Sequence, residues 1–228
     1  MGECDILRNT AEFAVFWKRR RCKGESRMGN RIVFATGNEG KMREIRMIMA
    51  DIGIPVVSMK EAGVSADIEE NGKTFEENAV IKAKTVMELT GEMAMADDSG
   101  LEIDYLGGAP GIYSARYMGE DTPYSIKNAA LIEKLSEAQG EERSARFVCA
   151  IACVMPDGTT LTSLGVMEGR IAHEIKGENG FGYDPIFYLP EYGCTSAEIT
   201  PEKKNELSHR GKALREMKEK LRNYLDQK

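Results

Sequence analysis

Met93-Ala94-Met95-Ala96-Asp97-Asp98-Ser99-Gly100 runs from a short apolar stretch straight into two carboxylates, a hydroxyl and a glycine. The apolar residues read as a strand that stops at the acids, where a glycine lets backbone and ligand come close. Ligand clefts of α/β proteins open at such strand ends. Carboxylates placed there can hold a divalent metal through oxygen, and they can take a proton from water. An acidic turn after a strand would carry the same letters, so the neighbouring segments decide between the two.

Outward from that stretch, sheet and helix patterns alternate. An apolar strand at 32–35 leads into Thr36-Gly37-Asn38-Glu39-Gly40-Lys41, and a helix then carries Met42, Ile45, Ile48 and Met49 on one face. Gly53 ends it and Pro55 opens the next extended stretch. Thr74 is expected to cap a helix reaching about Leu89, with Glu77 completing a capping box and Gly91 closing it. Residues 101–104 alternate like a separate strand, followed by the glycine-rich loop 107–111 and a helix over 123–138. Strands at 145–155 and 159–166 bracket Pro156-Asp157-Gly158, a hairpin signal. A short strand at 170–175, a second glycine-rich loop at 177–183 and one final helix over 201–224 complete the pattern. Interleaving of this kind predicts an α/β fold, and the hairpin makes its sheet mixed.

The 228 residues fit one domain, or one domain with two lobes, and 42% hydrophobic with 30% charged residues is ordinary for a globular enzyme. A net charge of −6 gives no bulk positive field for nucleic acid or anionic membrane, so a polyanionic ligand must meet a local cluster of Lys and Arg. The five cysteines, Cys4, Cys22, Cys149, Cys153 and Cys194, are scattered and predict neither a disulfide framework nor a zinc site; they suit a reducing, cytoplasmic setting. No apolar stretch is long enough for a membrane span. Residues 1–28 stand apart. Their apolar run 13–17 precedes Lys18-Arg19-Arg20-Arg21, the reverse of a secretory signal. We expect a poorly ordered extension there, or an upstream start with Met28 as the natural first residue, and the domain itself over 29–228.

Several segments can carry chemistry. The 36–41 junction offers helix N-terminal amides and Lys41 to an anion, although its glycine spacing is not that of a Walker A loop. Asp67, Glu69 and Glu70 precede Gly72, as either a solvated acidic run or metal ligands. Asn78 and Lys82 fall on one helix face with Phe75. Phe181-Gly182-Tyr183-Asp184 sets aromatics around a glycine, suited either to stacking on a planar base or to sealing the core. Ser208-His209-Arg210-Gly211 pairs one of two histidines with an arginine that can donate to carbonyl oxygens.

Together these segments resemble the inosine triphosphate pyrophosphatase family, whose members hydrolyse non-standard purine nucleoside triphosphates such as ITP, dITP and XTP. The resemblance spans about 32–221 and rests on TGNEGK at 36–41, TFEENAVIKAK at 74–84, ADDSGLEIDYLGGAPGIYSARY at 96–117, GFGYDPIF at 180–187 and SHRGKAL at 208–214. It implies an elongated mixed β-sheet flanked by helices, with an active-site cleft between two lobes. It implies that residues 36–41 hold the triphosphate and that Asp98 is both proton acceptor and Mg²⁺ ligand. Glu69 falls at the second ligand position, with Glu70 adjacent. Ser99 matches a substrate contact, residues 181–184 the segment enclosing the base, Lys204 (beside Lys203) a substrate lysine, and His209 with Arg210 the pair that reads the purine. A homodimer is the implied assembly.

Overall fold

The computed structural model describes residues 31–227; the expectations for residues 1–28 lie outside them. Seven strands form one sheet in the order β2-β1-β3-β4-β5-β6-β7. They are β1 (Ile32–Phe34), β2 (Val56–Ser58), β3 (Met93–Ile103), β4 (Ser144–Val154), β5 (Thr160–Ile171), β6 (Phe187–Leu189) and β7 (Cys194–Thr195). β1 runs parallel to β2 and β3, and every later pairing is antiparallel. The sheet is therefore mixed and the class α/β, as expected.

Among the described residues five helices cover it: α1 (Glu39–Met49), α2 (Phe75–Thr90), α3 (Tyr124–Lys134), α4 (Pro201–Leu207) and α5 (His209–Asp226). Because strand side chains alternate between faces, β1, β3 and β4 feed two different cores. Phe34, Met95, Cys149 and Cys153 meet Met42 and Ile45 of α1 and Met217 and Leu221 of α5 on one face. Val33, Ala94, Ala96 and Ala150 meet Ala79, Ala83 and Val86 of α2 on the other. A third cluster lies further along the first face, where Leu101, Ile103 and Phe147 pack with Leu131 of α3, Tyr183 and Phe187. Burial pushes the Cys149 and Cys153 thiols up to about 12, so both serve as small apolar groups.

Several expectations are corrected. The acidic stretch does not end a strand: β3 continues through it to Ile103, paired with β4 from Ala94↔Val154 to Ile103↔Ala145. Leu101 and Ile103 resume the buried alternation, and Gly100 marks a close approach, since a side chain there would meet the Gly111 carbonyl oxygen at 2.3 Å. What does stop is the neighbour, β1, at Phe34 opposite Met95. The 201–224 segment is likewise two helices. Ser208 is extended between them and accepts from the Gly211 amide at 3.0 Å as the N-cap of α5. The strand expected at 170–175 is in part the end of β5, which runs on to Ile171.

The Thr74 cap holds, with its hydroxyl accepting from the Glu77 amide at 3.1 Å, but Glu77 returns its bond to the Lys73 amide rather than to Thr74. No helix among the described residues is long and apolar enough to cross a membrane.

Candidate active site

The two halves of the first sheet face leave a cleft of about 430 Å³ between them. Its floor is Ser99, Leu101 and Phe147, side chains of one strand face. One wall brings Thr36, Gly37, Asn38 and Lys41 from the β1–α1 junction, and His209 and Arg210 from the start of α5. The opposite wall is Phe181, Gly182, Tyr183 and Asp184, with Ser114, Ala115 and Tyr124. Lys204 of α4 also lines it. Glu39 and Gly40 occupy the first turn of α1 without lining the cleft, although Gly40 sits near Phe181. The break at Ser208 does the positioning: it starts a helix at His209 and so aims that residue and Arg210 into the cleft. β5 makes room at Gly165, where any side chain would meet the His209 carbonyl oxygen at 2.1 Å.

At the α1 end, Asn38 caps the helix by accepting from the Lys41 amide at 3.0 Å. Lys41 Nζ lies 3.0 Å from Asp97, which also accepts from Ser99 Oγ at 3.1 Å and from Arg210 Nε at 3.3 Å. Burial alone would push the Asp97 carboxyl up, but Lys41, Arg210 and Lys82 outweigh it and hold the group well below the ordinary carboxylate range. Arg210 also donates to Glu44 at 2.7 Å. Three of its five N–H donors are thereby committed to carboxylates, and the guanidinium is nearly fully buried.

At the other end, Asp184 accepts from Lys204 Nζ at 2.6 Å, Ser196 Oγ at 2.8 Å and the Phe181 amide at 2.8 Å. The half-exposed Phe181 ring stands 4.9 Å from the Lys204 ammonium. Gly180 takes φ +79°, and a side chain on it would meet Asp184 at 2.2 Å, so this turn needs glycine on both counts. His209 stacks on Phe147 at 4.8 Å between centroids, and its Nδ1 is buried with no partner among the described residues. Burial, then Arg210 and Lys204, depress its pKa well below 6.5 and keep the ring neutral.

A stability prediction follows from that shift. Below pH 6.5 the unfolded chain takes a proton that buried His209 refuses, so stability is lost as pH falls, by up to about 1.4 kcal/mol per pH unit. Melting curves between pH 7 and pH 5 should show a shallower decline for His209→Gln than for the natural sequence. Parallel declines would show that His209 is not the titrating group.

Asp98 lies on the opposite sheet face from Asp97. It accepts from Asn78 Nδ2 at 3.1 Å and pairs with Lys82 at 3.3 Å, while Lys82 also pairs with Glu70 at 2.8 Å. Burial raises the Asp98 pKa, Glu70 adds to the rise, and Lys82 opposes it. Glu69 is exposed beside this group, and Glu70 is the residue whose carboxylate enters it. Beyond Phe34 no strand of the sheet flanks this edge of β3, apart from a bridge between Glu102 and Pro110. Side chains of both faces thus border one gap at the cleft's end. Among the described residues no three His, Cys, Asp or Glu cluster tightly enough to hold a metal unaided. Two carboxylates completed by phosphate oxygens are nevertheless a donor set that Mg²⁺ takes, and Asp98 with Glu70 fits it.

Sequence reasoning located most of the cleft but passed over Glu44, Phe147, Ser114 and Tyr124. Glu44 looks like any solvated helix glutamate until Arg210, far along the chain, reaches it.

A family model described as the Ham1 family matches residues 32–220, the stretch that builds both the sheet and the cleft. The chain belongs to the Ham1 family. It is 49% identical over 191 residues to a Desulforamulus reducens protein named dITP/XTP pyrophosphatase, covering 84% of this chain and 95% of that one. A protein of the same name from Photorhabdus laumondii is 48% identical over 195 residues, covering 85% and 98%. The solved structure of a HAM1 protein from Coxiella burnetii is 43% identical, with a TM-score of 0.78 over 86% of this chain and 100% of its own. That of a Staphylococcus aureus Ham1 protein is 40% identical, with a TM-score of 0.77 over 85% and 99%. Membership in the Ham1 family bears out the resemblance carried by the five motifs.

Proposed function

We propose that this chain hydrolyses ITP, dITP and XTP between the α- and β-phosphates, giving nucleoside monophosphate and pyrophosphate and so clearing non-standard purines from the nucleotide pool. The observation that carries this reading is a single cleft with opposite chemistry at its ends. Amides at the start of α1 and Lys41 suit a triphosphate. Phe181, the Phe147–His209 stack and the 182–184 turn suit a planar base. The names of the relatives, dITP/XTP pyrophosphatase, support the same assignment.

In this reading the phosphate chain crosses the free edge of β3 toward Asp98. A water oxygen bonds to the α-phosphorus, its proton passes to the Asp98 carboxylate, and the α–β bridging oxygen leaves with pyrophosphate. Burial makes Asp98 a stronger base than a solvated aspartate. Lys41 and Lys82 offset charge on the phosphates. Asp98 with Glu70, or with its neighbour Glu69, would hold Mg²⁺, which supplies charge neutralisation of phosphate oxygens when bound. Neutral His209 and the uncommitted N–H groups of Arg210 offer donors to a 6-oxo group. Adenine presents an amino group instead and leaves those donors unpaired. The family resemblance supports a homodimer, the scattered cysteines support a cytoplasmic location, and the charge of −6 supports a small nucleotide rather than nucleic acid as ligand.

The test is product release from ITP, dITP, XTP, ATP, GTP and dUTP under identical conditions with graded Mg²⁺. The first three are expected to exceed ATP by at least ~10²-fold in kcat/KM, the scale set by unpaired buried donors. Comparable turnover of ATP, or release of orthophosphate in place of pyrophosphate, sinks the assignment.

A further inference from the structure

At the base end of the cleft, the wall opposite His209 and Arg210 is built from two turns rather than from the sheet. One follows a 3-10 turn at Gly111–Tyr113 and presents Ser114 and Ala115; the other, Phe181–Tyr183, leads into a 3-10 turn at Asp184–Ile186. Their separation depends on side chains. One tie is direct, the Tyr183 hydroxyl donating to the Ser114 carbonyl at 2.7 Å. The others come from a single turn of α3. Lys127 Nζ donates to the Ala115 carbonyl at 2.7 Å, and Asn128 Nδ2 donates to the Gly182 carbonyl at 3.1 Å. The Tyr124 ring meets Tyr183 edge-on at 5.1 Å. Residues 124, 127 and 128 share one helix side by their three- and four-residue spacing.

Lys127 is unusual on its own account. It is fully buried, yet its ammonium donates to a backbone carbonyl and lies 5.0 Å from the Tyr124 ring. Burying an ammonium is costly, and a leucine or methionine would fill the same space without that cost. Asn128 Oδ1 is also buried without a partner among the described residues, so this amide is likewise not there for packing alone. Both polar groups are spent on reaching the two turns that line the base end of the cleft.

We infer that the first turn of α3 fixes the placement of the two turns that line the base slot, with Lys127 and Asn128 as positioning residues for recognition of the purine. The inference rests on the nucleotide reading above and extends it. The slot grips a flat ring only while these turns keep their place, and a small displacement weakens every contact to the ring together. The phosphate end, built on α1 and β3, is held by none of these bonds. Loosening the turn therefore weakens the hold on the base and leaves the hold on phosphate unchanged.

The experiment uses the full chain with Lys127→Met and Asn128→Ala made separately. Three quantities are read: kcat and KM for ITP, inhibition by inorganic tripolyphosphate as a probe that has no base, and the melting temperature. Each variant is expected to raise KM about five- to tenfold, the scale of one lost hydrogen bond. In both, kcat and tripolyphosphate inhibition should stay within about twofold, the tolerance for sites that do not interact. An unchanged KM in a folded variant overturns the inference. So does tripolyphosphate inhibition that weakens by the same factor as KM. If neither variant folds, the turn is a stability element and the inference is again wrong. Failure of the underlying nucleotide reading shows separately, as absence of ITP turnover in the natural sequence.

Discussion

Asp98→Asn is expected to lower kcat for ITP by about 10²-fold or more while leaving the protein folded, the loss a general base of this kind carries. The substitution keeps shape and one acceptor oxygen for Asn78 Nδ2, but removes the charge and the basic lone pair. Folding should survive because Lys82, the cation left behind, still has Glu70 at 2.8 Å. Burial already makes the charged form of Asp98 unfavourable in the native state, so the melting temperature should hold or rise. Activity of the natural sequence should fall on the acid side as Asp98 becomes protonated, because only the ionised carboxylate accepts a proton. Asp98→Asn should lack this limb in whatever activity remains. Pyrophosphate release as a function of pH, beside a melting curve, checks all three points. Near-natural turnover in the variant would move the base elsewhere.

How much of this was legible in the chain depends on distance along it. The strand–junction–helix at 32–49 was readable because apolar period, Asn38 and the glycines all lie within a few residues. Period two also says that Asp97 and Asp98 point to opposite faces, so their adjacency in sequence suggested a pair that the sheet separates. One belongs to the Lys41–Arg210 cluster and the other to Lys82. The break at Ser208 had a local signal, a serine ahead of Gly211 in a helix-like run, but the apolar spacing on both sides concealed it. The Phe147–His209 stack joins residues 62 positions apart, and the Glu44–Arg210 bond joins residues 166 apart. Local pattern says nothing about such pairs. The same holds for Lys127, which looks like a solvated helix lysine until the 111–118 loop folds over it.

Arg210→Ala is expected to cost more stability than any other single change in the cleft, about 3–5 kcal/mol, the range for removing one partner of a buried ion pair. Asp97 is 1% exposed and Glu44 accepts from Arg210 at 2.7 Å, so among the described residues the alanine variant leaves Asp97 with Lys41 as its near cation and Glu44 with only Lys204 at 3.7 Å. For a domain this size the melting temperature should fall by roughly 10 °C. Arg210→Met combined with Asp97→Asn should recover part of that fall, since the buried charges then leave together. Base recognition needs a gentler variant. Arg210→Lys keeps the positive charge but not the planar fork, so it can serve Asp97 or Glu44 while losing the N–H groups that are not committed to carboxylates. If those groups read the 6-oxo position, kcat/KM for ITP falls in Arg210→Lys by more than it does for ATP, and selectivity narrows. If the guanidinium only holds the carboxylates, both nucleotides lose the same factor, and discrimination rests with His209 and the Phe181–Asp184 turn. Measuring the two nucleotides on the folded lysine variant separates the roles, because any loss through stability alone falls on both alike.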